Sequence, residues 1–225
     1  MNNMKKKPFL ELIRCLEKTL TKFVVVDDDR IPDEGALLLT TNHLSRLDTP
    51  LLMSITHRND LVAIVAKKYQ HNLILKFILE KIGTMVWMDR ARLDFAAVRE
   101  ALNFLRHGAV VGIAPEGTRS RDSNGLLAGK QGAALIAARA SVPIIPVGII
   151  GSEKITSEWR HLRRPKVTVR VGEPYHLPEM DPDDRQGWLN QATDEIMCRI
   201  AALLPTAYRG VYVDYPRVKE LIHDR

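Results

Sequence analysis

With only two cysteines in 225 residues, the chain offers no disulfide framework. Cys15 and Cys198 lie in separate stretches of helical character, with no second sulfur or histidine at metal-ligand spacing. Reduced thiols, no metal, no cofactor and an intracellular setting are therefore expected. Long hydrophobic runs are missing too: nothing approaches the roughly 18 apolar residues of a membrane-spanning helix. The N-terminal stretch MNNMKKKPFLELIRCLEKTL breaks its apolar positions with Glu, Arg and Lys, which argues against a signal peptide. There is no helix-turn-helix pattern, zinc-finger spacing or aromatic-basic ribonucleoprotein motif, so nucleic acid is not an expected partner. The chain also lacks a Gly-x-Ser-x-Gly elbow, and neither cysteine sits in an activating motif, which leaves no obvious protein nucleophile.

What is present is an ordinary globular composition, 45% apolar and 27% charged, in a length that suits one domain. The excess of 33 Lys and Arg over 27 Asp and Glu gives a net charge of +6 and favours anionic partners. From residue 36 onward, short β-rich runs alternate with helical stretches. ALLLTT (36–41), LVAIVA (61–66), TMVWM (84–88), AVVGIA (109–114), IIPVGII (144–150) and KVTVRV (166–171) read as strands, several without polar alternation. YQHNLILKFILEKIG, LDFAAVREALNFLRHG and KQGAALIAARAS between them have helical spacing. The expected fold is α/β: a single layered domain with a mostly parallel central sheet flanked by helices. A globular body over residues 31–225 would follow an amphipathic helical segment over residues 1–30. In that segment Phe9, Ile13, Leu16, Leu20 and Phe23 share one helical face with lysines around it, a pattern suited either to a membrane interface or to docking on the chain's own domain.

Residues 42–48 read NHLSRLD and place a histidine five positions before an aspartate, just after a predicted strand. The spacing alone is cheap, since HLPEMD repeats it at His176 and Asp181 in a proline-rich connection. Pro50 suits a first helical turn, so a helix is expected from about Asp48 or Thr49, with Asp48 at its cap and Ser45 forming a capping box with it. The functional reading makes Asp48 the orienter of His43, whose other ring nitrogen then serves as a base. With no protein nucleophile in view, such a base acts on bound substrate or water. PEGTRS (115–120) follows another strand: Gly117 lets backbone approach a phosphate, Arg119 offers a forked donor, and Glu116 can hold a hydroxyl or orient an arginine. Lys67 and Arg90 also follow predicted strands. In a parallel sheet, ligands bind at the carboxyl ends of strands, so these segments are expected on one rim.

Taken in order, NHLSRLD, GTMVWMDR, PEGTRS and VPIIPVGI resemble the four sequence blocks of the glycerophospholipid acyltransferase family, across about residues 36–151. The resemblance implies base and orienter roles for His43 and Asp48. It implies acceptor-phosphate binding by Arg90, Glu116, Gly117, Thr118 and Arg119, with Lys67 as a looser match. Ala114 departs from the aromatic residue that members often carry before Pro-Glu-Gly. The implied reaction moves a fatty acyl group from a thioester, acyl-CoA or acyl carrier protein, to the free hydroxyl of a lysophospholipid acceptor, lysophosphatidate in the best-known members. Glycerol-3-phosphate or another lysophospholipid is the alternative acceptor; a thioesterase and a non-catalytic lipid-phosphate-binding domain are alternatives of other classes. The implied location is peripheral, on the cytoplasmic face of the cell membrane.

Overall fold

The computed structural model describes residues 7–89, 94–120 and 125–224. Seven strands form one sheet: β1 (Lys22–Val26), β2 (Leu37–Thr41), β3 (Leu61–Ala66), β4 (Thr84–Met88), β5 (Val110–Ile113), β6 (Ile144–Ile150) and β7 (Lys166–Val171). Their order across the sheet is β1-β7-β6-β2-β5-β3-β4. All neighbours are parallel except β6 and β7, so β2 to β6 point their carboxyl ends at one rim while β1 and β7 run the other way.

Among the described residues, eight α-helices cover the two faces: α1 (Lys7–Leu20), α2 (Asp48–Ser54), α3 (Leu73–Ile82), α4 (Phe95–Arg106), α5 (Gly132–Ala140), α6 (Ile155–Arg160), α7 (Arg185–Leu203) and α8 (Pro216–His223). Leu38, Val62, Ile64 and Val111 pack with α4, α5, α7 and α8, whereas Leu37, Leu39, Ala63, Val65 and Val110 pack with α1, α2 and α3. Successive residues of one strand therefore bury on opposite faces. This is why the central strands read as unbroken apolar runs, while β7 near the edge keeps a partly solvated alternation.

The six strands expected from sequence are all present, and the fold is the α/β layered domain those runs indicate. One element differs. The helical face drawn through Phe23 stops at Leu20, and Phe23 belongs to β1, paired with β7. The last carbonyls of α1 are taken from outside the helix. Trp159 Nε1 donates to Leu20 O at 2.8 Å, and Arg164 donates to Lys18 O and Thr21 O at 2.6 and 2.8 Å. With its orphan carbonyls satisfied there, the chain is free to leave the helix for the sheet edge. The face of α1 is also split: Phe9 and Ile13 pack partly against the core, whereas Leu16 and Leu20 remain exposed, and beside that face Leu10 is buried and Leu12 exposed. Among the described residues no helix is long and apolar enough to cross a membrane.

Candidate active site

The carboxyl ends of β2, β5 and β6 converge. After Thr41, the buried Asn42 side chain continues the ladder to β6, donating from Nδ2 to Ile149 O at 2.8 Å and accepting from Ile149 N at 2.7 Å. That fixes where the chain leaves the sheet, and His43 is the next residue. Its Nδ1 lies 2.9 Å from Asp48 Oδ2. The same oxygen accepts the amides of Leu44 at 2.6 Å and Ser45 at 2.7 Å. Asp48 therefore faces the histidine and ties down the loop before α2 with one carboxylate, but it does not cap the helix: it is the first residue of α2, Leu47 stands at the N-cap, and no side chain caps that end. The expected capping box is not formed, because Ser45 Oγ accepts from Leu47 N at 2.9 Å. Oδ1 of Asp48 accepts the hydroxyl of Ser152, from the turn after β6, at 2.5 Å.

Nδ1 engaged with a carboxylate leaves Nε2 of His43 without a partner among the described residues. The ring lines two small cavities of about 30 Å³ each. One is bordered by Arg46, Tyr69, Leu75, Leu79 and Arg119, the other by Ala63, Ile64, Ile113 and Ala114. Ile64, Ile113 and Ala114 are also shared with a larger cavity of about 820 Å³, walled further by Met88, Val98 and Ala133 and rimmed by Lys130, Asn190 and Asp194. The histidine thus faces a basic pocket on one side and, through the second small cavity, adjoins the mainly apolar one, and Ile64 borders all three.

The PEGTRS loop closes the site from β5. Glu116 is buried, and both carboxylate oxygens hold backbone: Oε1 accepts His43 N at 2.8 Å and Oε2 accepts Leu127 N at 2.9 Å. Ser120 N in turn donates to His43 O at 2.9 Å, so the histidine backbone is clamped on both sides. Burial pushes the Glu116 carboxyl up to about 7; the two amides oppose the rise, and the nearby Asp48 charge adds to it. Gly117 adopts φ +69°, a conformation that favours glycine. The Lys130 side chain lies over it, and a Cβ there would come within 2.9 Å of Lys130 Cδ. The Gly117 amide donates to Ala114 O at 3.1 Å, which removes it as a free donor for a developing oxyanion.

Of the remaining residues singled out from sequence, Arg119 lines the His43 pocket and donates to Tyr69 Oη at 3.2 Å. Thr118 is exposed. Lys67 is exposed at the start of the turn after β3, where its charge helps hold the Asp94 carboxyl down, behind the amides of Asp89 and Ala97. Arg90 lies outside the described residues. No group of three or more His, Cys, Asp or Glu that could hold a metal occurs among the described residues. Sequence reasoning missed Ser152, Tyr69 and Lys130, which reach the site from segments without a signature of their own, and Arg46, which stands inside NHLSRLD without being singled out. Of the first three, only Ser152 carried a signal, by its position just after a strand ending at the same rim.

A family model described as acyltransferase matches residues 22–150. A probable 1-acyl-sn-glycerol-3-phosphate acyltransferase of Mycoplasma pneumoniae is 29% identical over 154 residues, covering 65% of this chain and 56% of that protein. Its counterpart in Mycoplasma genitalium is 34% identical over 136 residues, covering 58% and 50%. The chain therefore spans about half the length of these curated relatives. The crystal structure of the 1-acyl-sn-glycerophosphate acyltransferase PlsC from Thermotoga maritima shares the fold, with a TM-score of 0.61 at 21% identity over 84% of this chain and 77% of that one. A match across more than half of the chain, falling on the strands and loops that build this rim, places the protein in the glycerophospholipid acyltransferase family.

Proposed function

We propose that the protein transfers a fatty acyl group from an acyl thioester to the free hydroxyl of 1-acyl-sn-glycerol-3-phosphate, giving phosphatidate. The observation that carries this is His43, oriented by Asp48 at 2.9 Å, with its second ring nitrogen unengaged between a pocket holding Arg119 and a larger apolar cavity. The acceptor named in the relatives' descriptions supports the choice of substrate.

In this reading His43 Nε2 removes the proton of the acceptor hydroxyl as its oxygen attacks the thioester carbonyl. Asp48 stabilises the imidazolium, and collapse of the tetrahedral intermediate expels the thiolate, which takes the proton. A thiol with pKa of about 8.5, if like cysteine, leaves without a strong acid. No acyl-enzyme is needed: the Ser152 hydroxyl, which is bonded to this network, donates to Asp48 and is buried. Arg119 and Arg46 suit the acceptor phosphate, and the motif assigns Gly117, Thr118, Lys67 and Arg90 to the same anion. Glu116, with both oxygens on backbone amides, acts by holding His43 and the loop at Leu127. The cavity of about 820 Å³ falls within the size of ordinary ligand pockets and suits an acyl chain. Peripheral attachment to an anionic membrane surface, at its cytoplasmic face, is supported by the exposed Leu12, Leu16 and Leu20 of α1 and Leu73 and Phe77 of α3, beside Lys67, Lys68, Lys76 and Lys81.

The test is a matrix of lysophosphatidate, glycerol-3-phosphate and other lysophospholipids against acyl-CoA and acyl carrier protein, with His43→Ala as the blank. The expected result is turnover highest with lysophosphatidate and lost by at least about 10²-fold in His43→Ala. Thioester consumption at full rate without an acceptor would instead identify a thioesterase.

A further inference from the structure

Asp48 is a buried carboxylate whose two oxygens are used differently. Oδ2 carries the imidazole of His43 and two backbone amides, while Oδ1 is given to the Ser152 hydroxyl. Ser152 comes from the far end of β6, 104 positions along the chain, and only 1% of its surface is exposed. The turn that presents it is built for the purpose on both sides. Gly151 before it takes φ +86°, and a Cβ there would lie 2.3 Å from Lys166 O, so the backbone follows a path closed to other residues. Glu153 after it accepts the Tyr208 hydroxyl at 2.7 Å, which ties the turn to the C-terminal segment.

We propose that Ser152 is a positioning residue for acyl transfer, the outer member of a buried Ser152–Asp48–His43 relay. This rests on the reading of His43 as the base. A carboxylate free to rotate presents either oxygen to an imidazole; with Oδ1 held by a hydroxyl, only Oδ2 faces His43, and the ring is fixed for one attack geometry. The same hydrogen bond draws charge away from the carboxylate and so limits how strongly the imidazolium is held. Removing it leaves Oδ1 buried without a donor, concentrates charge opposite Nδ1, and makes His43 retain its proton to higher pH. Among the described residues, the other ionisable groups facing this pair are Glu116, which bonds the His43 backbone, and Arg46, Tyr69 and Arg119, which line the same pocket as the His43 ring. They act in both the parent protein and the variants.

The experiment compares Ser152→Ala, Ser152→Thr and His43→Ala in the full chain, with lysophosphatidate and acyl-CoA, after melting curves establish that each is folded. For Ser152→Ala, kcat is expected to fall by about tenfold or more, as suits loss of a hydrogen bond to a charged group. KM for the acceptor should stay unchanged, and the acid limb of kcat/KM should move to higher pH; Ser152→Thr, which keeps the hydroxyl, should restore both. The ring Nδ1–H proton resonance of His43 should shift in Ser152→Ala, a readout that needs no turnover and remains available if Thr packs poorly. Parent-like kcat and pH profile in Ser152→Ala, with His43→Ala inactive, would overturn the relay and leave the function standing. A fall in kcat with the acid limb and the resonance unmoved would also overturn it, as a purely structural effect. Turnover surviving in His43→Ala would remove the base assignment and the relay together.

Discussion

Two buried polar knots hold opposite ends of the sheet, and they differ in what they leave unfilled. At the end away from the rim, Arg58 is buried and all its guanidinium donors are engaged: Nε and Nη2 on Asp60, Nη1 on Pro32 O and Gly35 O, and Nη2 again on Gly108 O. An arginine has five such donors, so nothing remains for a ligand. At the rim, Asp48 and Glu116 are as thoroughly occupied, but the groups they hold in place are not. His43 has one ring nitrogen committed, and Arg119 has a single side-chain hydrogen bond among the described residues, to Tyr69. A saturated cluster is architecture. A cluster whose inner members are saturated and whose outer members are spare, facing a cavity, is a site.

Three measurements press on that contrast. The largest effect is expected at the closed knot. Arg58→Met keeps the apolar stem but strands the carbonyls of Pro32, Gly35 and Gly108, and should destabilise the fold by about 3 kcal/mol in denaturant melts while leaving kcat unchanged. Loss of kcat at parental stability would break the distinction. At the open end the expectation reverses: Arg119→Ala should raise KM for phosphate-bearing acceptors by about tenfold, with little change in melting temperature. Unchanged acceptor affinity would show that the spare donors are not waiting for a phosphate.

The smallest effect concerns pH. Burial pushes Glu17 of α1 up to about 7, against the opposing hydrogen bond to Ser54 and the charge of Arg14, and Glu116 at the rim is raised to about the same value. A carboxyl group raised in the folded state holds a proton that the unfolded chain has already released. The stability it contributes is therefore present below about pH 4.5 and fades as pH rises through about 7. Melting temperature should accordingly decline between about pH 5 and about pH 8. Glu17→Gln, away from the rim, should flatten part of that decline without altering turnover. An unchanged slope would place the burden on Glu116 and hence on the site itself.

Much of the fold was legible because burial on both faces removes the need for polar alternation. LVAIVA and IIPVGII announce central parallel strands, and the turn residues after them mark the rim. KFVVV was not legible: at five residues on a half-solvated edge, its pattern is compatible with the end of a helical face. The choice was made by Trp159 and Arg164, which cap α1 from more than 130 residues away. The candidate site divides along the same line. His43, Asp48 and Arg119 belong to contiguous motifs. Lys130 carries no pattern that separates it from surface cations, Arg46 stands inside NHLSRLD at a position the His-Asp spacing does not mark, and Glu116 gives no hint in PEGTRS that its partners are two backbone amides.

By itself, the sequence determined the layered α/β architecture and the rim on which the polar loops gather, because periodicity is a local property of the chain; the pairing of His43 with Asp48 was implied by the ordered set of motifs and not by a spacing that HLPEMD repeats. Only the tertiary structure decided which oxygen of Asp48 faces the histidine, that Glu116 clamps the His43 backbone, and that Ile64 borders both the basic pocket and the apolar cavity. These depend on hydrogen bonds and contacts between segments that meet only when β2, β3, β5 and β6 lie side by side. No local pattern encodes the partner of a buried polar atom when that partner lies 73 or 104 residues away.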